Sequence, residues 1–168
     1  MHDLKLHHIG IDAIPAALEK ARQYRSLLEP EQAESICLDI LEVQPDNHEA
    51  QIVLILAQTD QFAHRGKSLD AKGVLQRIAQ LPDEYERLYY QGLVSERRAR
   101  ALLHESMSRS FTYDYFLDAM RWYEQAGKIR PEHNDDAILR WNACLRTLRH
   151  ERLQPRPDQD SPHMDMES

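Results

Sequence analysis

The chain has 168 residues, of which 42% are hydrophobic and 29% charged, with a formal net charge of −7. That length fits one domain with a real core, and the negative balance weighs against a nucleic-acid binder, whose affinity comes mostly from neutralising phosphates. Gly is scarce at five residues, while Ala, Leu, Glu and Arg are abundant, which argues helix over sheet because these side chains lose little rotamer freedom in a helix.

Residues 1–13 read as an N-terminal arm. Met1 to His8 contains no apolar run that could act as a signal sequence. The first helix is expected over Ile14–Leu27, with Pro15 in its opening turn. The second runs Pro30–Val43 and places Ala33, Ile36, Cys37, Ile40 and Leu41 on one face. Gln44-Pro45-Asp46-Asn47 then ends one helix and starts another, because Pro cannot continue the helix before it and the polar residue after it can cap the next. Asp46 with Glu49, and Asp83 with Glu86, have capping-box spacing. The third helix is expected over Asn47–Phe62, a turn over Ala63–Ser68, and the fourth helix over Leu69–Gln80, burying Val74, Leu75 and Ile78. The fifth starts near Glu84 and meets no breaker until Ser108. The sixth runs Tyr113–Arg130 with Phe116, Ala119, Met120, Tyr123 and Ala126 inward. The seventh runs Asn134–Arg152 on a stripe of Ala137, Ile138, Trp141, Cys144, Leu145 and Leu148. From Leu153 the composition turns acidic and Pro-rich, so residues 153–168 read as a disordered tail.

The longest strongly apolar stretch, Ile52 to Ala57, is six residues, against the ~20 of a membrane span. Cys37 and Cys144 lack CxxC spacing and read as buried free thiols, which implies a reducing compartment. The expectation is a soluble, cytoplasmic protein that does not engage membranes or nucleic acid.

Helix pairs in short succession invite a search for a repeat. A unit over Ile14–Asn47 puts Ala21, Tyr24 and Ala33 on the small, aromatic and small positions of the tetratricopeptide repeat (TPR), with Pro45 on the terminal proline. A second unit, opening at His48, keeps the pattern through Ala71, Val74, Leu75 and Ile78. In a third, Gly92 falls on the helix-crossing position, and Asp118 to Ala126 with Ile129 and Pro131 matches best. The chain thus resembles the TPR family over residues 14–152. The resemblance implies an all-α, right-handed superhelix of about three antiparallel helix pairs plus a C-terminal capping helix, about seven helices in all. Small residues (Ala21, Ala33, Gly92, Ala119) would let helices approach, and Tyr24 and Tyr123 would fill the gaps beside them. Ile40 and Ile55 stand where the family prefers small residues, so the second unit should be splayed or repacked. Pro82 to Pro131 spans 49 residues, 15 beyond the period. Those residues amount to about four turns, roughly 22 Å, and the expected home for them is a fifth helix extended through Glu96–Ser108.

The family's concave groove, carried over, implies a partner-binding set of Arg22, Arg25, Glu49, Ile52, Leu56, Glu86, Tyr89, Leu93, Arg97 and Asn142, with Leu18, Thr59, Glu96, Ile138 and Arg146 beside them. Ile52 and Leu56 read equally well as core. Val53 and Tyr90 occupy positions where a carboxylate clamp would need its own residue types, so no clamp of that type is expected. Glu96-Arg97-Arg98-Ala99-Arg100 is the one basic cluster, with Arg97 and Arg100 on one face and Arg98 off it; it reads as a solvated face or as a surface for an acidic partner, the chain's own tail included. Leu102, Leu103, Met107 and Phe111 would then meet the sixth helix or a second subunit, a route to a homodimer. Nine His are scattered without a His-x-x-x-His, so neither metal nor cofactor is expected. No GxSxG, GxGxxG or phosphate-cradling loop points to an enzyme. The implied function is a protein–protein interaction module holding a peptide or helix; a type III secretion-like TPR chaperone for a translocator protein and a self-assembling structural protein are the alternatives.

Overall fold

A computed structural model describes residues 3–64, 71–105 and 109–157 of the chain. Among them are seven α-helices and no strand: α1 (Ile14–Ser26), α2 (Pro30–Val43), α3 (His48–Asp60), α4 (Lys72–Ala79), α5 (Glu84–Leu102), α6 (Arg109–Lys128) and α7 (Asp136–His150). The protein is therefore all-α. No helix among the described residues is long and apolar enough to cross a membrane.

Prolines in the first turns of α1 and α2 start both helices, where a missing N–H costs nothing. Between them Leu28 adopts φ 62°, and the Glu29 N–H reaches back to the Tyr24 carbonyl at 2.9 Å while the Leu28 N–H meets Arg25 O at 3.0 Å. This is a Schellman turn with leucine where glycine is usual. The same device closes α7: Arg152 has φ 52°, and the Leu153 N–H meets Leu148 O at 3.1 Å. Leu153 then tucks into the core beside Leu148, so the chain is still docked at the residue where the tail was expected to begin. Arg156 follows it onto α6, 2.7 Å from Asp114 and over the Phe111 ring; residues 158–168 of the expected tail lie outside the described residues.

The capping boxes do not form as expected. The turn through Pro45 and Asp46 places the cap one residue on, so Asn47 Oδ1 accepts from the Ala50 N–H at 2.9 Å. Asp83 stands at the N-cap of α5 without a side-chain bond to its backbone. Glu49 and Glu86 turn away to Arg22 and His48.

Packing follows three apolar clusters. One joins α1, α2 and α3 through Ala21, Ala33, Cys37, Ile40 and Ala50; a second seats α4 between α3 and α5 through Ile55, Val74, Ile78 and Val94; the third joins α5, α6 and α7. Cys37 and Cys144 are free and buried. Burial pushes the Cys37 thiol up to about 11 against the opposing fields of Arg22 and Arg25, and burial, then the charge of Glu96, pushes the Cys144 thiol up to about 12. Ile40 and Ile55 are both fully buried, and Ile55 points to the short eight-residue α4. The expected beginning of that helix at Leu69–Asp70, and Gly66 of the preceding turn, lie outside the described residues.

Gly92 marks the closest helix crossing. A Cβ built there would stand 2.7 Å from Tyr123 Cε1 and 2.8 Å from Cδ1, so the ring of α6 lies directly on the backbone of α5. The expected long fifth helix is corrected by the structure. α5 stops at Leu102, and Arg109–Thr112, expected as a connection, is the first turn of α6. The extra residues are shared between two helices that pair along their length, so each covers the other's added turns instead of one protruding alone. Leu103 packs into the α5–α6–α7 core; Met107 lies outside the described residues.

Candidate binding site

The odd-numbered helices meet across a hollow of about 450 Å³. α1 contributes Arg25; α3 ends at its wall with Thr59 and Asp60; α5 contributes Glu96, Arg97, Arg100 and Ala101; α7 contributes Arg140. Leu28 and Pro30 form one edge, and the exposed His64 and His104 stand at another. Helical spacing explains the α5 set: 96–97, 100–101 and 104 are successive turns of one face.

Two ion clusters fill this space. Asp60 accepts from Arg25 Nε at 2.7 Å and from Arg25 Nη2 at 3.2 Å, and also pairs with Arg97. Glu96, 1% exposed, accepts from Arg100 Nε at 2.7 Å through one oxygen and from the Tyr123 hydroxyl at 2.8 Å through the other. Arg140 approaches the first oxygen at 3.6 Å, and the Arg100 guanidinium also donates to Thr147 Oγ1 at 3.2 Å. A buried carboxylate is tolerable only with such partners. Burial, and then the fields of Arg25, Arg140 and Arg100, pull Arg97 down to about 10, with Tyr123 opposing. Burial lowers Arg25 as well. Burial also acts to lower Arg140, but its hydrogen bond to the Tyr89 hydroxyl oxygen and the charge of Glu96 outweigh it and leave the group above its ordinary value.

The residues expected for the groove divide into three groups. Arg25 and Arg97 line the hollow. Arg22, Glu49 and Glu86 lie on the same helices outside it, where they stitch neighbours together: Arg22 to Glu49 at 3.2 Å across α1 and α3, and Glu86 Oε2 to His48 Nε2 at 2.6 Å across α5 and α3. Ile52 and Leu56 are half-buried along α3, and Tyr89 is half-buried among Tyr85, Tyr90 and Tyr123, with centroids 5.1–5.9 Å apart. The third group is corrected. Leu93 is 0% exposed, so it is core and cannot touch a partner. Leu18 is likewise buried, whereas Thr59, though buried, lines the hollow beside Asp60 and donates its hydroxyl to the Leu56 carbonyl at 2.9 Å. On α7 the hollow takes Arg140 and not Asn142 or Ile138. Arg97 and Arg100 do share a face and Arg98 does leave it, lying 5.5 Å from the Tyr115 ring, but the shared face turns inward to Asp60 and Glu96.

Asp60 and Arg140 were not anticipated. Asp60 continues the 49–52–56 stripe as well as Thr59 does, and its charge beside Arg25 was the available signal. Among the described residues no three His, Cys, Asp or Glu side chains converge as a metal site would. Comparison with models of protein families, with curated proteins and with solved structures finds no match.

Proposed function

We propose that the chain is a non-catalytic protein-interaction module, a set of TPR-like helical hairpins that holds a peptide or helix of another protein against the face formed by α1, α3, α5 and α7, in the cytoplasm. The observation that carries this reading is the hollow. Helices separated by up to 115 positions, from Arg25 to Arg140, converge on it, and its volume of about 450 Å³ lies within the ~300–1,000 Å³ of ligand sites. Half-buried Ile52, Leu56 and Tyr89 continue the face beyond the arginines, giving the mixed apolar and charged lining that suits a peptide or an amphipathic helix. The two cysteines are fully buried with their thiols held protonated, which leaves them poorly placed as nucleophiles.

The test is selection of a random dodecapeptide library on the immobilised full chain, followed by direct titration of enriched sequences. The expected result is an enriched family whose affinity falls in Tyr89→Ala and in the surface variant Arg22→Glu. No enrichment would sink the reading. Peptides retained equally by both variants would move the site off this face.

A further inference from the structure

The hollow carries more positive charge than its own carboxylates can neutralise, and the surplus has a definite layout. Four guanidinium groups face two carboxylates. Arg25 and Arg97 share Asp60; Arg100 and Arg140 share Glu96. Each cluster is therefore two cations on one anion, short of one carboxylate. The two clusters adjoin, since the consecutive residues Glu96 and Arg97 of α5 belong to different ones. The chain as a whole is acidic, with a net charge of −7, so the excess is local. Burial raises its consequence, because a partly desolvated guanidinium attracts an anion more strongly than an exposed one.

We infer that this hollow is a dicarboxylate subsite: it takes two acidic side chains of a bound peptide, one completing the Arg25–Asp60–Arg97 cluster and one completing the Arg100–Glu96–Arg140 cluster. The inference rests on the reading of this face as a peptide site and specifies the chemistry of its ligand. Two singly charged groups match the pairing, because each cluster has two guanidinium groups on one carboxylate, and a single phosphoryl group is the competing outcome of the test below. The site already shows its preference for carboxylate geometry in the forked pair from Arg25 to Asp60, at 2.7 and 3.2 Å. A long polyanion such as nucleic acid would meet the overall negative charge of the chain around the hollow, whereas a short acidic segment can enter without spanning it. The arrangement also supplies specificity. A neutral peptide seated here would cover half-buried guanidinium groups without answering their donors, a penalty that discriminates against it.

The resident carboxylates make a test that misfolding cannot imitate. In Arg25→Gln, Asp60 keeps Arg97; in Arg140→Gln, Glu96 keeps Arg100 and Tyr123. Each variant removes one surplus charge and leaves no buried carboxylate alone. Asp60→Asn does the opposite and adds one surplus charge. Labelled dodecapeptides carrying two glutamates, and the same peptides with glutamine, are titrated into the full chain by fluorescence anisotropy, with inorganic phosphate at matched ionic strength as competitor. Thermal melts establish that each variant is folded. The glutamate peptides are expected to bind about tenfold or more tighter than the glutamine ones, the loss expected when charge-assisted hydrogen bonds are removed. Arg25→Gln and Arg140→Gln should each weaken them about tenfold, Arg140→Lys should recover part of that loss, and Asp60→Asn should tighten binding severalfold.

Equal binding of glutamate and glutamine peptides would overturn the inference, as would an Asp60→Asn variant that is folded and binds no tighter. Displacement by phosphate at concentrations similar to the peptide's would replace the two-carboxylate assignment with a single-anion site. If the library returns peptides without acidic pairs, the dicarboxylate assignment fails while the peptide-binding face stands. If it returns nothing and the glutamate peptides also fail to bind, both fall.

Discussion

Gly92→Ala measures how closely α5 and α6 are joined. In a free helix this change stabilises by about 1 kcal/mol, since alanine restricts the unfolded chain and glycine does not. Here the added methyl would stand 2.7, 2.8 and 3.1 Å from three atoms of the Tyr123 ring. The ring has little room to move: it is 1% exposed and its hydroxyl is tied to Glu96 at 2.8 Å. Overpacking of this kind costs about 1–3 kcal/mol, and displacing the hydroxyl from a buried carboxylate adds about 1.5–3 kcal/mol. After the propensity gain is offset, the net loss should be about 1.5–5 kcal/mol, which for a chain of this size lowers Tm by about 3–20 °C. Gly73→Ala is the internal control. It changes the same residue type inside α4, where nothing lies within 4 Å of the new Cβ, and it should raise stability by about 0.5–1 kcal/mol. Urea unfolding of the two variants beside the parent chain reads the difference directly. If Gly92→Ala proves as stable as Gly73→Ala, the close crossing is wrong and so is the assignment of Gly92 to it.

Leu93→Ala should cost about 2–5 kcal/mol in urea unfolding, because Leu93 is fully buried; a loss under about 0.5 kcal/mol would return it to the exposed surface. Leu28→Gly should stabilise the chain by about 1 kcal/mol, since it relieves a left-handed leucine that is 85% exposed and gives up little packing; a destabilised variant would argue against the Schellman turn. Stability should hold to about pH 9 and then decline. Folding raises the thiols of Cys37 and Cys144 from 9.0 to about 11 and about 12, and Tyr85 from 10.0 to about 12, in each case chiefly through burial. Groups raised in the fold stabilise it below their unfolded values and lose that contribution as pH climbs through the folded ones. Arg97, lowered from 12.5 to about 10, works in the opposite sense, favouring the fold as pH climbs above about 10, so the onset near pH 9 belongs to the thiols. Melting temperatures across pH 8–11 check this, and Cys144→Ala should shrink the initial fall.

The helices were legible because their signals are local. Pro15 and Pro30 open α1 and α2, and the small residue Gly92 and the large residue Tyr123 announce a crossing before their contact is visible. The faces were harder, since a stripe at three- and four-residue spacing does not fix which flank of the helix turns inward. Along α3 the series Glu49, Ile52, Leu56 continues equally to Thr59 or Asp60, and both line the hollow, Thr59 buried in its wall and Asp60 paired with the arginines. On α7 the facing line runs through Arg140, Cys144 and Thr147 instead of Ile138, Asn142 and Arg146. Glu96 shows the deeper difficulty. A glutamate in a run of arginines reads as surface, and its burial follows only from Tyr123 and Arg140, which are 27 and 44 positions away in the chain.

The inserted residues and the hollow are one feature. α1 and α3 each have 13 residues, while α5 has 19. An α5 of 13 residues from Glu84 would end at Glu96, and Arg97, Arg100, Ala101 and His104 would be lost from the lining. Asp60 would then face Arg25 alone, and Glu96 would lose its 2.7 Å partner Arg100. The matching length in α6 covers α5 beside the hollow, where Thr112 and Phe116 are fully buried and the Arg100 guanidinium lies 5.4 Å from the Phe116 ring centre. The added turns therefore act in two directions. They extend the α5–α6 contact, and they carry cations to the hollow where α1, α3 and α7 meet. The length of α5, which in sequence looked like a protruding extension, is what gives this face its surplus of positive charge.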